Sequence, residues 1–193
     1  MIIGLTGSIA MGKSEAAKIL AAHGLPVFDS DAEVHRLYDS EAGAALIRPF
    51  VPGATIHGKV DRKLVTAAIL KDPELLSRLE KKVHEEIRAR RDVFIADAKA
   101  RGAKAVVLDI PLLFETSAEK NLDKTIVISS SPELQRARAL ARPGMTEERL
   151  ALILSRQMPD SEKCAKADVV INNNGTLVDM KNSLLETLAE WGI

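Results

Sequence analysis

The sequence predicts an α/β fold: a parallel five-stranded sheet in a three-layer arrangement, carrying a helical insertion. Three observations lead there. Short runs of Ile, Val and Leu recur at 2–6, 105–109, 124–129 and 168–172, the pattern of strands buried on both faces. The segments between them place apolar residues at helical spacing. A turn bearing Gly7 and Gly12 joins the first strand to the first helix.

The bulk properties are consistent with that reading. The 193 residues hold 27 Lys and Arg against 27 Asp and Glu, with 46% apolar residues. One domain over 1–193 follows from the usual size of about 100–200 residues. Such a chain buries roughly 70% of its unfolded surface. Disorder is excluded as the main state, and a net charge of zero excludes a general nucleic-acid coat. Aromatic residues at 3% are too few for base-stacking platforms, so no nucleic acid is expected as partner. The single cysteine, Cys164, excludes an internal disulfide and a cysteine-built zinc site. No run approaches the ~20 apolar residues that span a bilayer, so no membrane is expected. Met1 to Leu5 lack a basic secretory region, which makes the cytoplasm the expected location. Nothing implies a protein partner.

The elements follow in order. Ile2 to Thr6 read as a buried strand, and Ala16, Ala17, Ile19 and Leu20 put a helix over 13–22, ended by Gly24. Pro26-Val27-Phe28 reads as a second strand closed by Asp29-Ser30-Asp31. A strand–helix–strand unit implies a parallel pair with a right-handed crossover, and puts the second strand beside the first. Residues 32–100 read as the insertion. Leu64, Val65, Ala68, Ile69, Leu75, Leu79, Val83 and Ile87 keep helical spacing, and no β-branched run suggests a strand. Pro49, Pro52 and Gly53 break the stretch, and Asp72-Pro73 opens a long helix. The sheet resumes at 105–109, runs into Ile110-Pro111-Leu112-Leu113, and continues at 124–129. Ser131 caps a helix with Pro132 at its first position, and Thr146 caps another over 146–157. Residues 168–172 form the last strand, and Asn173-Asn174-Gly175 turn into a terminal helix carrying Leu184, Leu185 and Leu188.

The sharpest signal is Gly7-Ser8-Ile9-Ala10-Met11-Gly12-Lys13-Ser14, which fits G-x-x-x-x-G-K-[ST] between a strand and a helix. Glycines let successive N–H groups turn inward, and the helix N-terminus adds partial positive charge. Lys13 reaches the β- and γ-phosphates in such a loop, and the Ser14 hydroxyl binds Mg²⁺. The loop alone does not separate an ATPase, a GTPase and a small-molecule kinase. The guanine-reading Asn-Lys-x-Asp is missing, as is Asp-x-x-Gly, which favours adenine. Asp29 and Asp31 end a strand where ligands of parallel sheets gather, so a carboxylate there can take a hydroxyl proton; either can equally cap a helix. Arg136, Arg138 and Arg142 lie on one predicted helix and the loop after it. Arg138 and Arg142, four apart, share a face that either clamps phosphates as a lid or is a solvated basic face. Asp109 ends a buried strand, where it either organises Mg²⁺ through water or caps the strand end.

Taken together, the loop from Leu5 to Ser14, Asp29-Ser30-Asp31, Ile110-Pro111-Leu112-Leu113-Phe114-Glu115 and Ala167 to Gly175 resemble the dephospho-CoA kinase family. So do Asp61-Arg62-Lys63 and Leu79 to His84, and the match runs in order over almost the whole chain. The resemblance implies the P-loop kinase fold, with 32–100 as substrate-binding insertion and 136–160 as lid. It implies transfer of the ATP γ-phosphate, with Mg²⁺, to the ribose 3′-hydroxyl of dephospho-CoA. Carried over residue by residue, Asp31 is the general base, with Lys13 and the lid residue Arg138 also catalytic. Ala10, Met11, Gly12, Lys13, Ser14, Glu15, Arg142, Asn174 and Gly175 bind ATP. Asp29, Asp31, Arg62 and His84 contact substrate, and Ser14 and Asp109 serve the metal.

The chain departs from the family pattern T-G-G-I-G-S-G-K-S-T at Ser8, Ala10 and Met11, which replace two glycines and a serine. These positions must keep negative φ or tolerate strain. Glu15 replaces a hydroxyl, and would repel phosphate unless it points away. His84 is followed by Glu85 instead of Pro, which leaves a packing or surface role open for His84.

Overall fold

Alternation along a single strand decides the layering. The computed structural model describes residues 1–193. In β6 (Lys124–Ser129), Ile126 and Ile128 join one apolar cluster and Val127 joins another. Successive strand side chains point to opposite faces, so the sheet is covered on both. The first cluster gathers Ile3 and Leu5 of β1 (Ile2–Thr6), Ala16 and Leu20 of α1 (Lys13–Ala22), and Met180, Leu184 and Leu188 of the C-terminal helix. The second gathers Leu113, Phe114 and Val127, with Met158, Cys164 and Ala167 packed against them.

The chain divides into two compact units, 1–28 with 98–193, and 29–97. The first continues from α1 into β2 (Val27–Asp29), resumes at β5 (Val106–Asp109), and passes a short 3-10 turn at Ala118–Asn121. Beyond β6 come α6 (Pro132–Leu140), α7 (Glu147–Leu154), α8 (Asp160–Lys166), β7 (Val169–Asn172) and α9 (Leu177–Glu190). The second unit holds α2 (Ser30–Tyr38), α3 (Glu41–Ile47), β3 (Thr55–Ile56), β4 (Lys59–Val60), α4 (Arg62–Lys71) and most of α5 (Glu74–Ala100).

The sheet order is β2-β5-β1-β6-β7, with β1 parallel to both β5 and β6. The expectation that the second strand lies beside the first is therefore corrected. The crossover through α1 skips one place, and β5 fills it, with Val107 N–H donating to the Pro26 carbonyl at 2.9 Å. A crossover fixes handedness but not how many places it skips. The second unit also contains a strand pair that the absence of a β-branched run had argued against. Thr55↔Val60 and Ile56↔Lys59 pair antiparallel across His57-Gly58, both at positive φ. Two residues per strand are too few to leave a periodic trace. The helix read over 146–157 ends at Leu154, and α8 follows as an element the pattern did not announce.

Several helix starts match their residues. Ser131 accepts from Leu134 N–H with Pro132 in the first turn, and Thr146 accepts from Arg149 N–H. Thr176 and Asp179 close a reciprocal capping box on α9. No helix is long and apolar enough to cross a membrane.

Candidate active site

The loop from Gly7 to Gly12 leaves the central strand β1 and enters α1 directly. Gly12 is the N-cap of α1, in the left-handed region at φ 103°, and no side chain caps the helix. The first-turn amides of α1 therefore face no competing cap, the condition under which a helix N-terminus takes an anion. A Cβ on Gly12 would overlap the Asn173 side chain, and one on Gly7 would come 2.7 Å from the Ile128 carbonyl. Those two glycines are needed for conformation and for close approach.

The substituted positions resolve differently. Ser8 and Met11 are buried at ordinary φ, whereas Ala10 takes φ 61°. A non-glycine residue in that region costs about 1–2 kcal/mol. The Ala10 methyl is buried with Ala139 of α6 and Leu150 of α7, which offsets part of that cost. Glu15 pairs with Lys18 at 2.7 Å along the outer side of α1.

Lys13 forms an ion pair with Asp109, whose side chain is 4% exposed. Register explains the pairing, because Asp109 lies opposite Leu5 at the carboxyl ends of neighbouring strands. Asp109 is thus the buried counterion of the loop lysine. Ser14 is exposed in the first turn of α1.

Arg138 donates to Ser130 Oγ at 3.2 Å and to the Asn173 carbonyl at 3.0 Å. Asn173, buried, donates through Nδ2 to the Met11 carbonyl at 2.8 Å, so it links Arg138 to the loop. Asn174 accepts through Oδ1 from Ser131 N–H at 2.7 Å and from Ser130 Oγ at 3.0 Å. Gly175 is exposed beside it. Helix α6 is capped at Ala141, so Arg142 lies past its end and is exposed. Arg136 is committed to an ion pair with Glu147 at the start of α7.

In the second unit, Asp29 rather than Asp31 caps α2, accepting from Ala32 N–H at 2.9 Å. Asp31 sits in the first turn, exposed and without a capping duty. Arg62 lies over the Tyr38 ring at 5.5 Å, and burial pushes the Tyr38 hydroxyl pKa up against the lowering effect of Arg62. His84 is exposed on α5.

Sequence reasoning missed a second polar group in the first unit. Lys163 of α8 is fully buried, with Nζ 2.8 Å from Glu115 Oε1. Glu115 also accepts from Met158 N–H at 2.8 Å. Burial pushes the Glu115 carboxyl up, but Lys163 and the Met158 N–H outweigh it and hold it below its ordinary value. Two glutamines, Gln135 and Gln157, were missed as well; both contact Ile9. Uncharged side chains in a charged stretch left no periodic signal to find them.

The chain is similar to known proteins over almost its whole length. The family model described as CoaE, dephospho-CoA kinase, matches residues 1–179. A dephospho-CoA kinase of Rhodopseudomonas palustris is 48% identical over 188 residues, 97% of this chain and 94% of its own. One of Bradyrhizobium diazoefficiens is 49% identical over 189 residues, 98% and 94%. The solved dephospho-CoA kinase from Campylobacter jejuni is 28% identical with TM-score 0.72, covering 98% of this chain and 96% of that one. A loop built for nucleotide phosphates on a parallel sheet, a family model over most of the chain and curated relatives nearly half identical leave a single assignment: the chain belongs to the dephospho-CoA kinase family, ATP-dependent transferases that catalyse the last step of coenzyme A biosynthesis.

Proposed function

We propose that the chain transfers the ATP γ-phosphoryl group to the ribose 3′-hydroxyl of dephospho-CoA with Asp31 as general base. The observation that carries this is the division of labour in the D-x-D pair. Asp29 is occupied as the cap of α2, while Asp31, two residues past the end of β2, is exposed and has no capping role. A carboxylate placed so can accept the hydroxyl proton as its oxygen attacks phosphorus. Asp29 then shapes the turn that presents Asp31, and Arg62 and His84 are the substrate contacts offered by the second unit, 29–97.

Lys13, with the α1 amides from Gly12 to Ser14, holds the β- and γ-phosphates, and the ion pair with Asp109 keeps the lysine aimed until nucleotide arrives. Arg138 and Arg142 absorb charge on the transferring group, from a segment 136–160 that closes as a lid and excludes water. Asn174 and Gly175 lie toward the adenine. Mg²⁺ arriving with ATP suits these donors, because it keeps several waters and needs only one or two protein oxygens; Ser14 would bind it and Asp109 would hold it through water. It would neutralise charge on the β- and γ-oxygens. A cytoplasmic location goes with this reading, supported by ATP as co-substrate and one free cysteine.

The test is Asp31→Asn, with acceptor-dependent ADP release and ATP affinity measured side by side. The variant is expected to lose about 10²–10⁴ in kcat with ATP affinity kept. Lost ATP affinity at normal kcat would make Asp31 a binding group instead.

A further inference from the structure

Two consecutive residues of the phosphate loop, Ile9 and Ala10, are held by the segment that spans α6, α7 and the turn after them, and the next, Met11, is tied to it through Asn173. Ile9 N–H donates to Gln157 Oε1 at 3.0 Å, and the Ile9 carbonyl accepts from Gln135 Nε2 at 2.9 Å. The Ala10 methyl packs with Ala139 and Leu150. The Met11 carbonyl accepts from Asn173, whose own carbonyl accepts from Arg138. Gln135 is itself 8% exposed and stands one residue before the segment 136–160, while Gln157 stands near its end.

We propose that Gln135 and Gln157 are positioning residues for ATP: they grip the backbone of Ile9 at both its polar atoms and so set the phosphate loop from the two ends of the lid segment. The grip has a specific target. The Ile9 carbonyl belongs to the peptide that leads into Ala10, the one non-glycine loop residue at positive φ. A trans peptide points the Ala10 N–H opposite that carbonyl, so a donor on the carbonyl fixes where the next amide faces. Where the family pattern has glycine, this chain carries Ala10, and the surrounding contacts must hold the strained conformation. Movement of the segment then changes the loop, and nucleotide on the loop biases the segment.

The two glutamines have opposite polarity toward Ile9, and the experiment uses that. Gln157 accepts, so Gln157→Glu keeps its bond, while Gln157→Met removes it. Gln135 donates, so Gln135→Met removes the bond, and Gln135→Glu sets a carboxylate against a carbonyl. The two Glu variants add the same charge beside the same residue, so their difference isolates polarity. Mg·ATP binding is measured directly, with KM for ATP, KM for dephospho-CoA, kcat and melting temperature for all four variants. At position 157 the Glu variant is expected to bind ATP more tightly than the Met variant. At position 135 the order reverses, with Gln135→Glu at least about tenfold weaker than Gln157→Glu, and KM for dephospho-CoA unchanged within twofold. The same order at both positions, or losses that follow melting temperature and strike both substrates equally, would overturn the proposal. It rests on the loop being the ATP site. Wild-type protein that fails to bind Mg·ATP would refute that reading, whereas normal wild type with the wrong order refutes only the glutamine grip.

Discussion

Lys163→Met tests how much the buried pair between α8 and Glu115 contributes. The substitution keeps the length of the side-chain stem but removes the ammonium 2.8 Å from Glu115, at a site with no exposure. Removing one partner of a buried pair costs about 3–5 kcal/mol, because the other charge stays behind. Glu115 retains the Met158 N–H, and its side chain is 17% exposed, so the low end, about 3 kcal/mol, is expected. At about 2–4 °C per kcal/mol for a domain of this size, the melting temperature should fall by about 6–12 °C. Urea unfolding can be followed by Trp191, the only tryptophan, which packs against the core of the unit containing the pair. Glu115→Gln combined with Lys163→Met keeps an acceptor for Met158 N–H and removes both charges, so it should return to within about 1 kcal/mol of wild type. The pH dependence gives a second check. Glu115 has a lowered folded pKa, so its stabilisation is present above the unfolded glutamate value and lost as pH falls through the folded one. In Lys163→Met the carboxyl has lost its cation, so protonation relieves it and the gap to wild type should narrow as pH falls from 7 to about 4. A variant within about 0.5 kcal/mol of wild type at pH 7, or a gap unchanged by pH, would refute the argument.

Lys13→Ala should lower kcat by at least about 10²-fold while circular dichroism shows the fold intact; a near-normal rate would remove Lys13 from the mechanism. Ala10→Gly should be tolerated, whereas Ala10→Val should lose at least about 1–2 kcal/mol in denaturant titration, because a β-branched residue is disfavoured at φ 61°. Asp168 is opposed by burial but held low by Thr125 and Lys124, so its contribution is present above the unfolded aspartate pKa and disappears as pH falls through the folded value. Asp168→Asn should therefore flatten the acid limb of a melting-temperature profile, and an unchanged limb would count against it.

The sheet strands were legible because burial on both faces writes continuous apolar runs, as at Val106 to Leu108 and Ile126 to Ile128. Capped starts such as Ser131 and Thr146 were legible because a hydroxyl before a helix has few other uses there. Strand order was not: the place of β5 between β1 and β2 is set by packing across some eighty residues of chain, which local pattern does not encode. The two-residue strands β3 and β4 were too short to register. Within the site, the loop could be read from spacing alone, but the partner of each polar group could not. That Asp29 caps and Asp31 does not is a matter of where the helix begins, two residues earlier or later. Gln135 and Gln157 meet at Ile9 only once α6 and α7 have folded, so no sequence window contains both contacts.

The strand order also distributes stiffness. β1 lies at the centre, with a hydrogen-bonded partner on each side, while β2 and β7 each have one free edge. Opening β1 requires two ladders to break together, so its amides, from Ile3 to Thr6, should be among the slowest in the chain to exchange with deuterated water. The phosphate loop is therefore tethered at its start to the least yielding part of the molecule. The chain of the second unit, by contrast, leaves the sheet from β2, an edge strand, where local opening is easiest.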